Sequence, residues 1–275
     1  MNIQNFRIQT KQRLKEIEQV LSQIDRIIMK HLQLSKPQLI IQSQRELTKE
    51  EIEKIEVDIK KLEKHIPIQY ILQEQEFMKI PFLVDEHVLI PQPDTEILVE
   101  KIIETYKNKP VEILDLCTGS GAIAVSLAKY LPDASIAATD ISKEALEIAK
   151  KNAEIQKVKV KFYEADIWNG VPDKKWDAIV SNPPYIETDI IKSLAPEVQK
   201  EPHIALDGGK DGLQFYRKII QKAPFYLKEN GKVFLEIGYN QKEAVEQIAK
   251  DTKSYKNIQH QKDLAGNDRV VELSI

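Results

Sequence analysis

Hydrophobic positions in the first 75 residues recur at helical spacing. Leu14, Ile17, Leu21, Ile24 and Ile28 follow one another at intervals of three and four residues. Apolar residues at this spacing form one face of an amphipathic helix. The pattern predicts a helical beginning to the chain.

A second apolar stripe follows a helix-start signal. Thr48 with Glu51 three residues later makes a capping box, and the stripe then runs through Ile52, Ile55, Ile59, Leu62 and Ile66. Between the two stripes, Ser35 and Pro37 suit the start of a short helix. We therefore expect residues 1–75 to form a small helical domain, in which the charged run KEEIEKIEVDIKKLEK is a solvated helix face.

The rhythm changes after this segment. Residues 76–92 carry Phe77, Phe82 and Val84 around Pro81, which predicts a hairpin or linker. From Val111 onward, short apolar strands alternate with helical segments. This alternation is typical of a doubly wound parallel sheet with helices on both faces, and we assign it to a domain of residues 93–275. The tail NIQHQKDLAGNDRVVELSI has two strand-like runs joined by a turn signal, which predicts a terminal antiparallel hairpin.

Composition narrows the classes of function. The 275 residues are 42% hydrophobic, enough to bury a core, and 40 Lys and Arg balance 43 Asp and Glu. Such a balance provides no basic field for a phosphate backbone, so we expect no direct nucleic-acid partner. One cysteine excludes an internal disulfide, and the start shows no secretory signal. With no apolar run of about 18 residues, we expect a cytoplasmic protein without a membrane segment.

The segment LDLCTGSGAIA points to a nucleotide-type ligand. Gly119 and Gly121 follow the first strand of the repeating pattern and precede a helix, where glycine lets the backbone approach a ligand. Asp140 ends the next strand about 20 residues later, at the position from which a carboxylate accepts ribose hydroxyls. These residues fit NAD and S-adenosylmethionine equally well, and a glycine turn without a ligand remains an alternative.

Two further carboxylates bear on the choice of cofactor. Asp115, in D-x-C-T-G-S-G, suits the ammonium and sulfonium side of S-adenosylmethionine better than a pyrophosphate. Asp166 ends the third strand and could accept from an adenine amino group, although an ordinary loop or N-cap aspartate is as good an interpretation. Both observations favour S-adenosylmethionine weakly.

The segment VSNPPYIE ends the fourth strand of the pattern. In a doubly wound sheet, ligands bind where the strand order reverses, so this loop and the CTGSG loop should face one crevice. Pro183 and Pro184 stiffen the backbone. Asn182 offers a side-chain carbonyl, and the Pro183 carbonyl has no neighbouring N–H at Pro184. Two fixed acceptors suit an NH₂ group, on which Tyr185 could pack.

These motifs together resemble one known family, the release-factor glutamine methyltransferases, also called PrmC or HemK. The resemblance covers nearly the whole chain. It is carried by PIQYIL and EFM at 67–78, LIPQPDTE at 89–96, LDLCTGSGAIA at 114–124, VSNPPYI at 180–186, EPHIALDGGKDGL at 201–213 and DLAGNDRVV at 263–271.

The resemblance implies a seven-stranded class I methyltransferase fold and a reaction. A methyl group would pass from S-adenosylmethionine to the side-chain amide of the glutamine in the Gly-Gly-Gln motif of class I peptide release factors. The implied cofactor residues are Cys117, Thr118, Gly119, Ser120, Gly121, Asp140, Asp166, Ile167 and Asn182. Asp115, from the charge argument above, completes the predicted cofactor set. The implied substrate and catalytic residues are Asn182, Pro183, Pro184 and Tyr185. The helical domain would help to dock the release factor, and we expect a monomer.

Two residues depart from the family pattern. Cys117 stands where a glycine is common, and Gln92 stands where arginine is common, so any guanidinium contact at that position is absent.

In-line transfer to an amide requires no strong base before attack and no metal. The five histidines are scattered without ligand spacing.

Three other functions remain possible from the residues alone. An adenine amino-methyltransferase would also use NPPY, but the charge balance and the lack of a basic, aromatic-interleaved segment count against it. A protein that only binds S-adenosylmethionine or escorts release factors would not need the two acceptors. An NAD oxidoreductase would explain CTGSG and Asp140 but not NPPY.

Overall fold

The computed structural model describes residues 1–275. They divide into two compact units: Met1–Gln73 with Ala195–Lys200, and Glu74–Leu194 with Glu201–Ile275. The predicted boundary near residue 75 lies close to this division. The segment Ala195–Lys200 was not anticipated in the first unit, and the predicted linker 76–92 lies within the second. No helix in the structure combines the length and apolar character needed to cross a bilayer.

The first unit is helical. Its helices are α1 (Ile3–Arg13), α2 (Val20–Leu32), α3 (Lys36–Ile41), α4 (Lys49–Leu62) and α5 (Ile68–Leu72). Both predicted starts are confirmed: Ser35 and Thr48 each form a capping box, with Gln38 and Glu51 respectively. Each box satisfies amide groups that would otherwise lack partners at the helix start.

The first apolar stripe is not one helix. Residues 14–19 form a turn between α1 and α2, and Gln19 has a left-handed backbone with φ +49°. Leu14 and Ile17 are nevertheless buried in the same core as Ile24 and Ile28. A turn can deliver apolar side chains to the same core as a helix face, which is why spacing alone did not reveal the break.

The second unit has a two-stranded hairpin followed by alternating helices and strands. The strands are β1 (Gln75–Phe77), β2 (Ile80–Phe82), β3 (Glu112–Leu116), β4 (Ser135–Asp140), β5 (Val160–Glu164), β6 (Trp176–Ser181), β7 (Leu227–Glu236), β8 (Asn257–Lys262) and β9 (Asp268–Ser274). The helices are α6 (Pro93–Tyr106), α7 (Ala122–Tyr130), α8 (Lys143–Gln156), α9 (His203–Leu206), α10 (Gln214–Tyr226) and α11 (Lys242–Thr252).

Seven of these strands form one sheet in the order β5-β4-β3-β6-β7-β9-β8. The first five run parallel, and β9 is antiparallel to both β7 and β8. Residues of α6, α7 and α8 pack in one apolar cluster and those of α10 and α11 in another, on the two faces. The predicted doubly wound sheet with a terminal antiparallel hairpin is confirmed.

The strand order reverses between β3 and β6. Leu116, the last residue of β3, lies opposite Ser181, the last residue of β6, and the Ser181 hydroxyl donates to the Leu116 carbonyl at 2.7 Å. The two strands therefore end at the same level, and the loops that follow them begin side by side.

Candidate active site

A cavity opens at this edge of the sheet and encloses about 1100 Å³ including its mouth. That volume suits a ligand of cofactor size. Nine residues predicted from the sequence line it: Cys117, Thr118, Gly119, Ser120, Asp140, Asp166, Ile167, Asn182 and Pro184. Four predicted residues do not line it: Asp115, Gly121, Pro183 and Tyr185.

The two glycines of the loop after β3 have different tasks. Both have positive φ, +53° at Gly119 and +80° at Gly121. A Cβ on Gly119 would meet no atom within 4 Å, whereas one on Gly121 would lie 3.0 Å from Cβ of Ala149. Gly119 thus leaves open space beside the cavity, and Gly121 allows α7 to approach α8 closely.

Cys117 occupies a backbone conformation that favours glycine, with φ +59°. The side chain lines the cavity. Burial raises the pKa of its thiol above the ordinary range, so the sulfur stays protonated and is a poor nucleophile.

Asp115 supports the loop from beneath and does not line the cavity. The side chain is fully buried, and its Oδ2 accepts a hydrogen bond from the Thr118 hydroxyl at 2.6 Å. Burial raises its pKa to about 7. Asp115 is the next-to-last residue of β3, and its carboxylate contacts the loop through Thr118.

Asp140 combines a structural contact with a place on the cavity. Its Oδ2 accepts from the Gly119 amide at 2.8 Å and its Oδ1 from the Ser142 amide at 3.0 Å. Burial raises its pKa, while these amides oppose the rise. The carboxylate therefore fixes the glycine loop and remains available to hydroxyl donors in the cavity.

The loop after β5 contributes the next part of the lining. The amide of Asp166 donates to the Asn169 carbonyl at 3.0 Å, and the reverse bond measures 2.9 Å. This tight turn places Ile167 at φ +51° on the cavity. Apolar Phe215, from α10, lines the same cavity, so a flat aromatic ligand would find both an apolar surface and a carboxylate there.

Asn182 is held by a chain of side-chain hydrogen bonds. Its Nδ2 donates to the Thr95 hydroxyl oxygen at 3.1 Å, and that hydroxyl donates to Oε2 of Glu236 at 2.6 Å. Its side-chain Oδ1 and the Pro183 carbonyl accept no hydrogen bond from the protein. Both oxygens of the predicted acceptor pair are therefore uncommitted.

Tyr185 was predicted to pack on the substrate, and the structure places it outside the residues that line the cavity. Its hydroxyl is 3.4 Å from Oε1 of Glu236 and donates to it. Burial, and then the Glu236 charge, raise the pKa of the phenol. The ring packs with the apolar cluster on the α10 and α11 face, so it anchors the loop to the core.

The backbone after Tyr185 is held by the segment at 201–213. Gln241 Nε2 donates to the Tyr185 carbonyl at 2.9 Å, and the Gly208 amide donates to the Ile186 carbonyl at 2.8 Å. A Cβ on Gly208 would lie 2.7 Å from Cα of Tyr185, and one on Gly212 only 2.4 Å from the Tyr185 carbonyl oxygen. These glycines are required by close backbone approach.

The LIPQPDTE segment also belongs to the site. Gln92 lines the cavity, and its side chain donates to the Ile90 carbonyl at 2.9 Å. The Ile90 amide donates to buried Glu201 at 2.9 Å, where burial raises the carboxyl pKa to about 7. Asp94 forms an ion pair of 3.0 Å with Arg269 of the terminal hairpin.

Sequence reasoning missed Thr95, Glu236, Gln241 and Glu201 as individual residues. A signal existed for Glu236, because a lone carboxylate interrupts the apolar strand KVFLEIG. A buried charge in a strand requires partners. Thr95 carried no comparable signal, since its partners lie 87 and 141 residues away.

Comparison with known proteins follows the same division of the chain. Residues 6–72 match the family "PrmC N-terminal domain", and residues 92–202 match "Methyltransferase small domain". The chain is 43% identical to a release factor glutamine methyltransferase of Thermodesulfovibrio yellowstonii, over 90% of each chain. It is 40% identical to the protein of that name from Flavobacterium psychrophilum, over 100% of this chain and 99% of that one.

A solved structure supports the fold. A 16S rRNA N2 methyltransferase of T. thermophilus, determined in complex with AdoMet and guanosine, superposes with a TM-score of 0.52 at 17% identity. The match covers 73% of this chain and 49% of that one. At this identity the likeness bears on the fold alone.

Proposed function

The chain belongs to the release factor glutamine methyltransferase family, and from this premise we propose that it methylates the side-chain amide nitrogen of a glutamine in peptide chain release factors. The methyl donor is S-adenosylmethionine, and the target is the glutamine of the Gly-Gly-Gln motif in class I release factors. The observation that carries the proposal is the uncommitted Asn182 Oδ1 on a residue that lines a cofactor-sized cavity. The carbonyl of Pro183, the next residue in the chain, is also uncommitted.

The residues that line the cavity suit this cofactor. The open space at Gly119 accommodates the methionine part along residues 117–121. The Asp140 carboxylate suits ribose hydroxyls, and Asp166 with Ile167 suits the adenine. Bound there, S-adenosylmethionine supplies an electrophilic methyl group on a sulfonium. The neighbouring carboxylates Asp140 and Asp166 favour a cationic ligand over a pyrophosphate.

The acceptor pair addresses the weak nucleophilicity of an amide. The amide lone pair is delocalised into the carbonyl, so the nitrogen reacts only when held in a suitable geometry. Asn182 Oδ1 accepts one N–H, and the Pro183 carbonyl, in the peptide leading into Pro184, accepts the other. These bonds orient the nitrogen and stabilise its pyramidal form. The excess proton leaves after the new bond has made the nitrogen cationic.

The helical unit has a separate role in this proposal. A glutamine within a folded release factor must be presented to a recessed cavity, and the active-site residues cover only the few atoms around the amide. We assign docking of the rest of the release factor to residues 1–73, the unit that contributes no side chain to the cavity.

One labelling experiment separates this function from its rivals. The protein is incubated with labelled S-adenosylmethionine and, in separate reactions, a class I release factor or DNA. We expect label on the release factor and none on DNA, with a release factor whose Gly-Gly-Gln glutamine is changed to alanine as the matched control. Label on DNA would favour an adenine methyltransferase, and cofactor binding without label would favour a binding protein.

A further inference from the structure

The Thr95 hydroxyl lies between two other side chains of the site. It accepts from Nδ2 of Asn182 at 3.1 Å and donates to Oε2 of Glu236 at 2.6 Å. The three residues come from α6, the loop after β6 and the end of β7. Thr95 and Glu236 are 4% and 1% exposed, so water does not compete for these bonds.

A hydroxyl has one proton, and this fact gives the chain of bonds a direction. An ionised carboxylate can only accept, so the Thr95 proton points to Glu236. The hydroxyl then presents only lone pairs toward Asn182. Of the two atoms at the end of an asparagine side chain, only the NH₂ group can bond to a lone pair. The amide orientation is thereby fixed, with Oδ1 on the side away from Thr95.

The surroundings of Glu236 favour its role as an acceptor. Its second oxygen accepts from the Tyr185 hydroxyl at 3.4 Å. Burial raises the pKa of Glu236, and the positive charge of Arg269 opposes this rise and so favours the ionised form. Asp94, Tyr185 and Tyr216 are the other titratable groups near it. Arg269 itself is held by Asp94 at 3.0 Å and Asp263 at 3.1 Å, so LIPQPDTE and DLAGNDRVV meet behind Asn182.

We propose that Thr95 and Glu236 are positioning residues that keep the Asn182 amide in its acceptor orientation, and that this orientation makes the site specific for an NH₂ group. If the amide were reversed, Asn182 would donate toward the cavity and repel the N–H of the substrate. The inference rests on the proposed transfer to an amide nitrogen, and it adds the residues that choose which atom of Asn182 meets that nitrogen.

Matched variants of Thr95 test the kinetic consequence. Thr95→Val keeps the shape and removes the hydroxyl, whereas Thr95→Ser keeps the hydroxyl. We expect Thr95→Val to lower kcat by about tenfold to a hundredfold, with KM for S-adenosylmethionine nearly unchanged. Thr95→Ser should stay within about threefold of wild type, because the hydroxyl bonds remain possible.

A double-variant cycle separates positioning from a general structural effect. If Thr95 acts only through Asn182, then Thr95→Val combined with Asn182→Ala should be no slower than Asn182→Ala alone. Independent effects would instead multiply. A Thr95→Val enzyme with wild-type kcat, or multiplied losses in the double variant, would overturn the proposal.

A spectroscopic readout tests the same contact without any substrate. The side-chain amide protons of Asn182, assigned by their absence in Asn182→Ala, should exchange slowly with solvent in wild type and Thr95→Ser. In Thr95→Val we expect exchange at least about tenfold faster. Equal exchange in all three proteins would overturn the proposal. Slow exchange in a wild-type protein that methylates no release factor would instead show the proposed function to be wrong while the positioning contact stands.

Discussion

The two loops that border the cavity are held in place in different ways. The loop after β3 is fixed by its neighbours in sequence and by the adjacent strand, through Asp115, Thr118 and Asp140. The loop after β6 is fixed by side chains from α6, β7 and the start of α11, through Thr95, Glu236 and Gln241. The loop to which we assign the cofactor is thus built locally, whereas the loop to which we assign the substrate is held by several distant elements.

This difference assigns distinct measurable quantities to the two loops. Changes in the loop after β3 should alter the affinity for S-adenosylmethionine or the stability of the fold. Changes around the loop after β6 should alter the rate of methyl transfer at unchanged cofactor affinity. A variant that moved the wrong quantity would break the comparison.

The largest effect is expected for Asn182→Ala. Removal of Oδ1 deletes one of the two acceptors for the substrate nitrogen, so kcat should fall by roughly 10²–10³-fold. The dissociation constant for S-adenosylmethionine, measured by calorimetry, should change little. Turnover close to that of wild type would show that the acceptor pair has been misassigned.

The corresponding change on the cofactor side is Asp140→Ala. Loss of the carboxylate removes both the hydroxyl acceptor and the anchor of the Gly119 amide, so the cofactor dissociation constant should rise about a hundredfold. Asp140→Asn is the matched control, because one oxygen can still accept from Gly119. The cofactor dissociation constant of Asp140→Asn should lie between those of the wild type and Asp140→Ala. A larger fall in kcat than in cofactor affinity would contradict the assignment.

A smaller effect, on stability, should separate the two glycines. Gly121→Ala would place a Cβ 3.0 Å from Cβ of Ala149 at φ +80°, and we expect a loss of about 2 kcal/mol in the free energy of unfolding. Gly119→Ala meets no atom within 4 Å, so it should lose only about 1 kcal/mol. Urea unfolding measures both. Equal losses would mean that contact with α8 does not matter.

The pH dependence should distinguish the substrate loop through Glu236. Burial raises the pKa of Glu236 to about 7, and the positive charge of Arg269 opposes this rise. Asp94, Tyr185 and Tyr216 are the other titratable groups nearby. Protonated Glu236 could no longer direct the Thr95 hydroxyl, so kcat should fall about tenfold from pH 8 to pH 6. Glu236→Gln should be slower and lack this acid limb. An acid limb of unchanged midpoint in Glu236→Gln would assign it to another group.

The same group should affect stability in the opposite direction. Its folded pKa lies above the unfolded value of 4.5, so the folded protein binds the proton more tightly. The stabilising contribution is complete below pH 4.5 and is lost as the pH rises through about 7. Activity and this contribution to stability therefore change in opposite senses over one window, which urea titrations at several pH values can check.

The smallest effect concerns Cys117. Glycine at φ +59° relieves backbone strain, although it also gains freedom in the unfolded chain. We expect Cys117→Gly to raise the free energy of unfolding by no more than about 1 kcal/mol and to leave cofactor affinity unchanged. Cys117→Ala keeps the strain and serves as the control. A weaker affinity in both variants would indicate a direct contact of the sulfur with the cofactor.

The comparison of the two loops also explains what the sequence could predict. The sheet followed from alternating apolar strands and helices, and the loop after β3 was recognised from contiguous residues with local physical reasons, such as Gly119 and Asp140. The placement of NPPY opposite CTGSG followed from the reversal of strand order. All of these depend on short segments or on general rules of sheet topology.

The supports of the substrate loop were beyond such reasoning. Asp115 was predicted at the cofactor because a strand-end carboxylate suits a sulfonium, and Tyr185 at the substrate because its ring could pack on a planar amide. Neither side chain lines the cavity. The partner of Asn182 lies 87 residues earlier in the chain, and no local pattern encodes that contact. The break between α1 and α2 at residues 14–19 was missed for a related reason. Apolar spacing indicates which side chains are buried, but it does not show whether the helix is continuous.

The most direct test of the account is the position of the methyl group after a single turnover. A class I release factor is incubated with S-adenosylmethionine and either the wild-type protein or Asn182→Ala, and the products are fragmented in a mass spectrometer. We predict one added methyl group on the side chain of the Gly-Gly-Gln glutamine with wild type, and almost none with the variant. A methyl group on any other residue, or equal modification by both proteins, would contradict the account.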